Sequence, residues 1–175
     1  MENIMEVIKK RKSIRAYKDH PLSEDVINSL LEAAKHAPTA RNLQQLEYKV
    51  IINKVLIKKL SDAIQEIVKK ENMPFPIRPH IFYNAPLLII IIGPKSNAWV
   101  DTDAALAVQN IMLYATTIGL GTCFIGMSRL LGKDENMLRE LHIPEDKRIG
   151  AAVICGYGDE NPEDKEKSMT AELFK

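Results

Sequence analysis

The chain has 175 residues, 46% of them hydrophobic and 27% charged, the make-up of an ordinary globular protein and the length of a single domain over residues 1–175. Lys and Arg number 24 against 23 Asp and Glu, a net charge of +1, which argues against a nucleic-acid partner, because gripping a phosphate backbone needs a concentrated basic excess. The acidic start MENIMEVIKK does not read as a signal peptide, and the longest apolar run, Pro86 to Gly93, falls far short of the roughly 20 residues of a membrane helix. No membrane partner and a cytoplasmic location are therefore expected.

In chain order, residues 2–10 carry Ile4, Met5, Val7 and Ile8 at helical spacing, and Ser13 to Tyr17 reads as extended. Ser23 is a good N-cap for a helix whose Val26, Ile27, Leu30, Leu31 and Ala34 share one face; it should end before Pro38. Tyr48, Val50 and Ile52 alternate as in a strand. Leu56, Leu60, Ile64 and Ile67, with Ala63 and Val68, predict an amphipathic helix over about 54–71. The prolines of MPFPIRPH at 74, 76 and 79 predict an irregular loop. Leu87 to Ile92 has no polar face and predicts a strand buried on both sides. Residues 100–118 make the most apolar helix, with Ala104, Ala107, Val108, Ile111, Met112, Ala115 and Ile118 along it, and Gly119 stops it in the manner of a left-handed cap. A short helix over 134–141, a core strand from Ile149 to Cys155 and a charged tail after Gly156 complete the order.

Several chemistries find no support. Gly119-Leu-Gly121 opens like a dinucleotide fingerprint, but Gly126 comes too late and the segment follows a helix. Gly126 to Lys133 misses the phosphate-loop spacing and ends in Asp134 where a hydroxyl is needed. His20, His36, His80 and His142 form no i, i+4 pair, so no metal site is expected. Cys123 and Cys155 sit in apolar stretches and read as core residues. No G-x-S-x-G elbow is present.

Three segments place polar residues where packing has no use for them. In Arg11-Lys12-Ser13-Ile14-Arg15 an extended backbone points Arg11, Ser13 and Arg15 the same way, and two guanidiniums flanking a hydroxyl make an anion cradle. The same cluster, with Lys9 and Lys10, also reads as a solvated helix end. In Ala37-Pro38-Thr39-Ala40-Arg41-Asn42-Leu43-Gln44, amides that both donate and accept suit the mixed edge of a flavin pyrimidine ring, although Asn42 also fits a plain turn cap. In GLGTCFIG, 119–126, small residues let a backbone approach a flat ligand.

RKSIRAY, APTARNLQ, GLGTCFIG after a long helix, and a final GYG followed by prolines and lysines together resemble the nitroreductase (FMN-dependent oxidoreductase) family, over nearly the whole chain and in the family's order. The resemblance implies an α+β fold: a three-layer α/β/α sandwich around a mixed, largely antiparallel sheet, in an intertwined homodimer with FMN at the subunit interface. It implies that Arg11 and Ser13, with Lys12 beside them, hold the FMN phosphate, joined by Lys165 and Lys167 from the tail. Arg15 would lie near flavin N1 and O2, where a fixed cation stabilises the charge that develops on reduction. Pro38, Thr39, Ala40, Asn42 and Gln44 would come from the partner subunit, and Ile125 and Gly126 would lie along the ring near N5. Lys165 and Lys167 are also compatible with a solvated tail. Gln45 and Leu46 replace the second proline and the aromatic that the family often carries, so the substrate wall differs; Met73, Phe75 and Trp99 are the candidates for it.

The implied activity is hydride transfer from NADH or NADPH through flavin N5 to a small electron-poor acceptor, a nitroaromatic, quinone or enone. No side chain acts as acid or base, because the cofactor performs the chemistry. The apolar 100–118 helix would centre the dimer interface. The alternatives are a flavin-binding carrier or sensor without turnover, or a related flavoenzyme such as a reductive dehalogenase or a flavin-fragmenting enzyme.

Overall fold

A computed structural model of the chain describes residues 3–76 and 78–175; Glu2 of the expected first helix and Ile77 of the expected proline loop lie outside them. The elements run α1 (Ile4–Lys10), α2 (Glu24–Lys35), β1 (Glu47–Ile51), α3 (Lys54–Lys70), β2 (Leu87–Pro94), α4 (Val100–Thr117), β3 (Gly121–Phe124), α5 (Glu135–Glu140) and β4 (Lys147–Gly156), with 3-10 turns at Ala40–Asn42 and Gly126–Lys133.

The sheet order is β1-β2-β4-β3, and all three ladders are antiparallel. The parallel element is an isolated bridge, Ser13 to Thr122, by which the N-terminal segment lies along the free edge of β3. Central β2 explains the layering. Its Leu88, Ile90 and Ile92 enter one apolar cluster with Ile57, Leu60 and Ile64 of α3 and Met137 of α5. Leu87, Ile89 and Ile91 enter the other with α2 and α4. All six are fully buried, since successive strand residues face opposite sides and both sides here carry helices. The result is the expected α/β/α sandwich.

Ser23 caps α2, its side chain accepting from the Val26 amide, and Ile27, Leu30 and Ala34 are its buried face. Gly119 follows α4 at φ +75, a backbone that costs glycine nothing. The structure corrects the sequence reading in four places. On β1 the buried residue is Ile51, while Tyr48 is partly buried against the α2/α4 cluster and Val50 and Ile52 are exposed, because β1 is an edge strand that the helices cover incompletely. Ile57 is a core residue of α3 and Leu56 only packs against the rim. Ile118, expected along the buried face of α4, is 40% exposed, since it lies past the last turn. β3 was not foreseen at all.

Among the described residues no helix is long and apolar enough to cross a membrane.

Candidate functional site

The RKSIRAY segment is bound on two sides. The Ile14 amide donates to Thr122 O on β3 at 2.9 Å, the Lys18 amide to Tyr157 O at 2.9 Å, and the Asp159 amide to Ala16 O at 2.9 Å. The Tyr17 hydroxyl, its pKa raised mainly by burial, donates to Ile14 O at 2.6 Å. Extended backbone held this way sends Arg11, Ser13 and Arg15 to one side. Arg15 Nη1 donates to Ser13 O at 3.4 Å. Burial pushes the nearby Cys123 thiol's pKa up, while Arg15, a side-chain hydrogen bond with Ser13, and Arg11 act against that shift and Glu160 adds to it. The ion pairs among the described residues include Lys12, with Asp164 at 3.0 Å, and leave out Arg11 and Arg15. Lys12 also donates to Pro162 O at 2.7 Å, which lays the start of the tail against the cationic segment. Lys165 and Lys167 follow directly, both exposed.

Arg15 also opens onto a groove of about 370 Å³ shared with Tyr17, Arg78, His80, Tyr83 and Asn84. Sequence reasoning missed Arg78. Its guanidinium donates to the Tyr83 hydroxyl at 2.7 Å and sits 5.7 Å from that ring's centroid, an arrangement that holds the cation in place. Tyr83 and Asn84 have φ of 52° and 54°, a strained backbone that tends to persist at ligand-binding positions. An arginine among three prolines was the only hint in the sequence. His80 is buried with its pKa lowered by desolvation and by Lys58, and its Nδ1 accepts from the Phe82 amide at 3.1 Å, so it is spent on the loop's own structure.

The GLGTCFIG segment divides. A Cβ on Gly121 would come within 2.8 Å of Ile14 Cγ1, so the space left by this glycine is filled by the chain's own N-terminal segment and not by a ligand. At Gly126 a Cβ would meet only the Phe124 ring, at 3.9 Å, which leaves the backbone there approachable. Ile125 beside it is buried, its amide donating to Ala152 O at 2.9 Å and its carbonyl accepting from the Ser128 hydroxyl at 2.7 Å.

The loop with Pro38, Thr39, Ala40, Asn42 and Gln44 stands apart from all of this. It leads into Glu47, which pairs with Ile92, at the end of the sheet opposite the Gly121–Gly156 pair, and it serves edge strand β1 where the cationic segment serves edge strand β3. Its Ala40 amide donates to buried Asp103 at 3.0 Å, near the start of α4. Thr116, near the other end of α4, lines a groove with Lys12. At 1.5 Å per residue those two points are roughly 20 Å apart along the helix. One chain therefore does not bring its two predicted halves together. Within the loop the Gln44 amide donates to Thr39 Oγ1 at 3.1 Å and Gln44 Nε2 to Asn42 Oδ1 at 2.9 Å. The other predicted wall residues are scattered: Phe75 and Trp99 are exposed and Met73 packs against the α3 side.

Comparison with known proteins fits this geometry. A profile described as the nitroreductase family matches residues 8–157. A protein from Archaeoglobus fulgidus, provisionally named an NADH dehydrogenase/NAD(P)H nitroreductase, is 30% identical over 90% of this chain and 86% of its own length. A nitroreductase from Bacteroides fragilis, solved with bound FMN, superposes with a TM-score of 0.85 at 27% identity, over all of this chain and 98% of that one. An FMN-dependent nitroreductase from Clostridium difficile gives 0.86 at 25% identity, over 99% of each chain.

Proposed function

This chain belongs to the nitroreductase family, and on that premise we propose that it is an FMN-dependent oxidoreductase, a cytoplasmic homodimer of single-domain subunits with FMN at the subunit interface. Electrons come from NADH or NADPH and go to a small electron-poor acceptor such as a nitroaromatic, a quinone or an enone.

The observation that carries the reading is the seating of Arg11, Ser13 and Arg15 on an extended segment that the Ser13–Thr122 bridge and the Ile14 amide bond hold along β3, with Arg15 Nη1 on Ser13 O at 3.4 Å. Two guanidiniums and a hydroxyl, with neither guanidinium in an ion pair among the described residues, form the donor set that a flavin phosphate and pyrimidine edge call for. Arg11 and Ser13 take the phosphate, joined by Lys165 and Lys167; Lys12, expected beside them, lines the groove on the other face of the segment, where its ion pair with Asp164 anchors the tail. Arg15 fixes a positive charge at the ring edge, and Arg78 across the groove adds a second. Gly126 and Ile125 offer backbone along the ring.

Bound FMN supplies the two-electron chemistry between donor and acceptor. The protein's part is to hold the ring, to set its charge environment and to shield it from water; no side chain is needed as acid or base.

The separation of Asp103 from Thr116 along α4 supports the dimer, because Thr39, Asn42 and Gln44 reach a flavin held by Arg11 and Arg15 only from a second copy. Leu43 and Trp99 are about half exposed and Leu106 somewhat less, apolar surface suited to such a contact.

The test is the absorption spectrum of the purified protein, followed by anaerobic addition of NADH or NADPH and then of a nitroaromatic. Flavin absorbance should bleach with the donor and return with the acceptor. A preparation that is colourless and refuses added FMN refutes the reading, and one that is yellow but is not bleached is a carrier or sensor.

A further inference from the structure

We propose that Asp103 is a positioning residue whose carboxylate holds the 38–44 loop in the shape from which it completes a partner subunit's site; the inference rests on the reading that this loop belongs to the cofactor site. Asp103 is 3% exposed on the most apolar helix of the chain. The ion pairs among the described residues do not include it, and a carboxylate buried without a cation is costly unless hydrogen bonds satisfy it. Its bond is to the Ala40 amide, at 3.0 Å, and its place in the first turn of α4 adds the favourable end of the helix dipole.

What it grips is strained. Arg41, Asn42 and Gln44 have φ of 53°, 54° and 52°, a left-handed backbone that side-chain-bearing residues adopt only when their surroundings impose it. Two further ties flank the Asp103 bond. Asn110 Nδ2, also on α4, donates to Ala33 O at 3.1 Å, and Asn97 Nδ2, just before α4, donates to Gln45 Oε1 at 3.4 Å. The strained residues are thus bracketed by ties to α4 and its entry, Ala40 just before them and Gln45 just after, with α2 fastened to α4 further upstream at Ala33, and Asp103 holds the residue that opens the strained stretch.

The test measures amide hydrogen exchange over residues 38–45 and FMN affinity in three variants of the full chain. Asp103→Leu keeps bulk and removes the acceptor; Asp103→Asn keeps an acceptor oxygen; Ala40→Pro removes the donor. Asp103→Leu should exchange at Ala40 and weaken FMN binding by at least about tenfold each, the size of a lost hydrogen bond to a charged group. Asp103→Asn should restore both. Ala40→Pro should match Asp103→Leu in FMN affinity and in exchange over 41–45, and it decides the matter if Asp103→Leu does not fold. Parent-like exchange or FMN affinity in the acceptor-deleted or donor-deleted protein overturns the proposal, as does failure of Asp103→Asn to rescue. Should the parent protein take up no FMN, the functional reading fails on its own, while the exchange data still decide whether Asp103 holds the loop.

Discussion

Ile14 occupies the space that a side chain on Gly121 would need: a Cβ there would lie 2.8 Å from Ile14 Cγ1 and 2.9 Å from Ile14 Cβ. The contact seats the cationic segment on β3, next to the Ile14 amide bond to Thr122 O. Gly121→Ala is expected to destabilise the protein by about 1–3 kcal/mol, the usual cost of overpacking, and to weaken FMN binding by lifting Arg11 to Arg15. Adding Ile14→Ala should recover only part of the loss, because the Ile14 Cβ remains. Denaturant midpoints check this; a Gly121→Ala protein as stable as the parent would show that the segment is not seated as described.

The layers of the fold were readable because strong local patterns agreed with the tertiary outcome. An unbroken Leu87–Ile92 run requires cover on both faces, and Ser23 and Gly119 mark helix ends by mechanisms that need no tertiary information. β3 was not readable. Gly-Thr-Cys-Phe has no alternation, and it is a strand because β4 pairs with one edge while Ser13 caps the other. The cationic segment was legible as a pattern of alternate residues. Arg78 and Asp103 were not, because what sets them apart is a partner distant in sequence or in the strained loop geometry: Ala40 lies 63 residues from Asp103, and the hold on Arg78 depends on Tyr83 in the left-handed region. The glycines of 119–126 were legible as special but not for what: one is a cap, one makes room for Ile14, and one faces open space.

Arg15→Ala should lower the flavin's reduction potential as well as its retention. A fixed cation at the ring edge favours the reduced form, which carries the added negative charge. On the order of 30 mV is expected, since that shift in a two-electron couple corresponds to about 1.4 kcal/mol. Spectroelectrochemical titration against the parent checks it. Arg11→Ala, on the phosphate side, should weaken retention with little change in potential, and equal shifts from both variants would remove the distinction between their roles.

Stability should fall in alkali. Burial raises the Cys155 thiol from 9.0 to about 12 and raises Cys123 as well. A thiol whose folded pKa is raised contributes stability that is fully present below its unfolded value and is lost as pH climbs toward the folded one. From pH 9 upward each such thiol should cost up to about 1.4 kcal/mol per pH unit. Denaturant midpoints at pH 8 and pH 10 measure the slope, and Cys155→Ala should flatten it. A slope unaltered by that change would place the alkaline loss elsewhere, at Cys123 or at the raised phenols of Tyr17 and Tyr48.

Two defective proteins mixed together decide whether the site is shared. Arg11→Ala damages the cationic half of every site, and Asn42→Ala damages the loop half. If a site joins Arg11 of one subunit to Asn42 of the other, a mixed dimer concentrates both lesions in one site and leaves its second site intact. Co-refolded or co-expressed variants should then bind FMN tightly at one site per mixed dimer and recover NAD(P)H-dependent flavin bleaching, although each variant alone does neither well. If both residues served the same subunit's site, every site in the mixture would still carry one lesion and mixing would restore nothing. Ends of the sheet as far apart as Glu47 and Gly121, on opposite edge strands, make the first outcome the expected one.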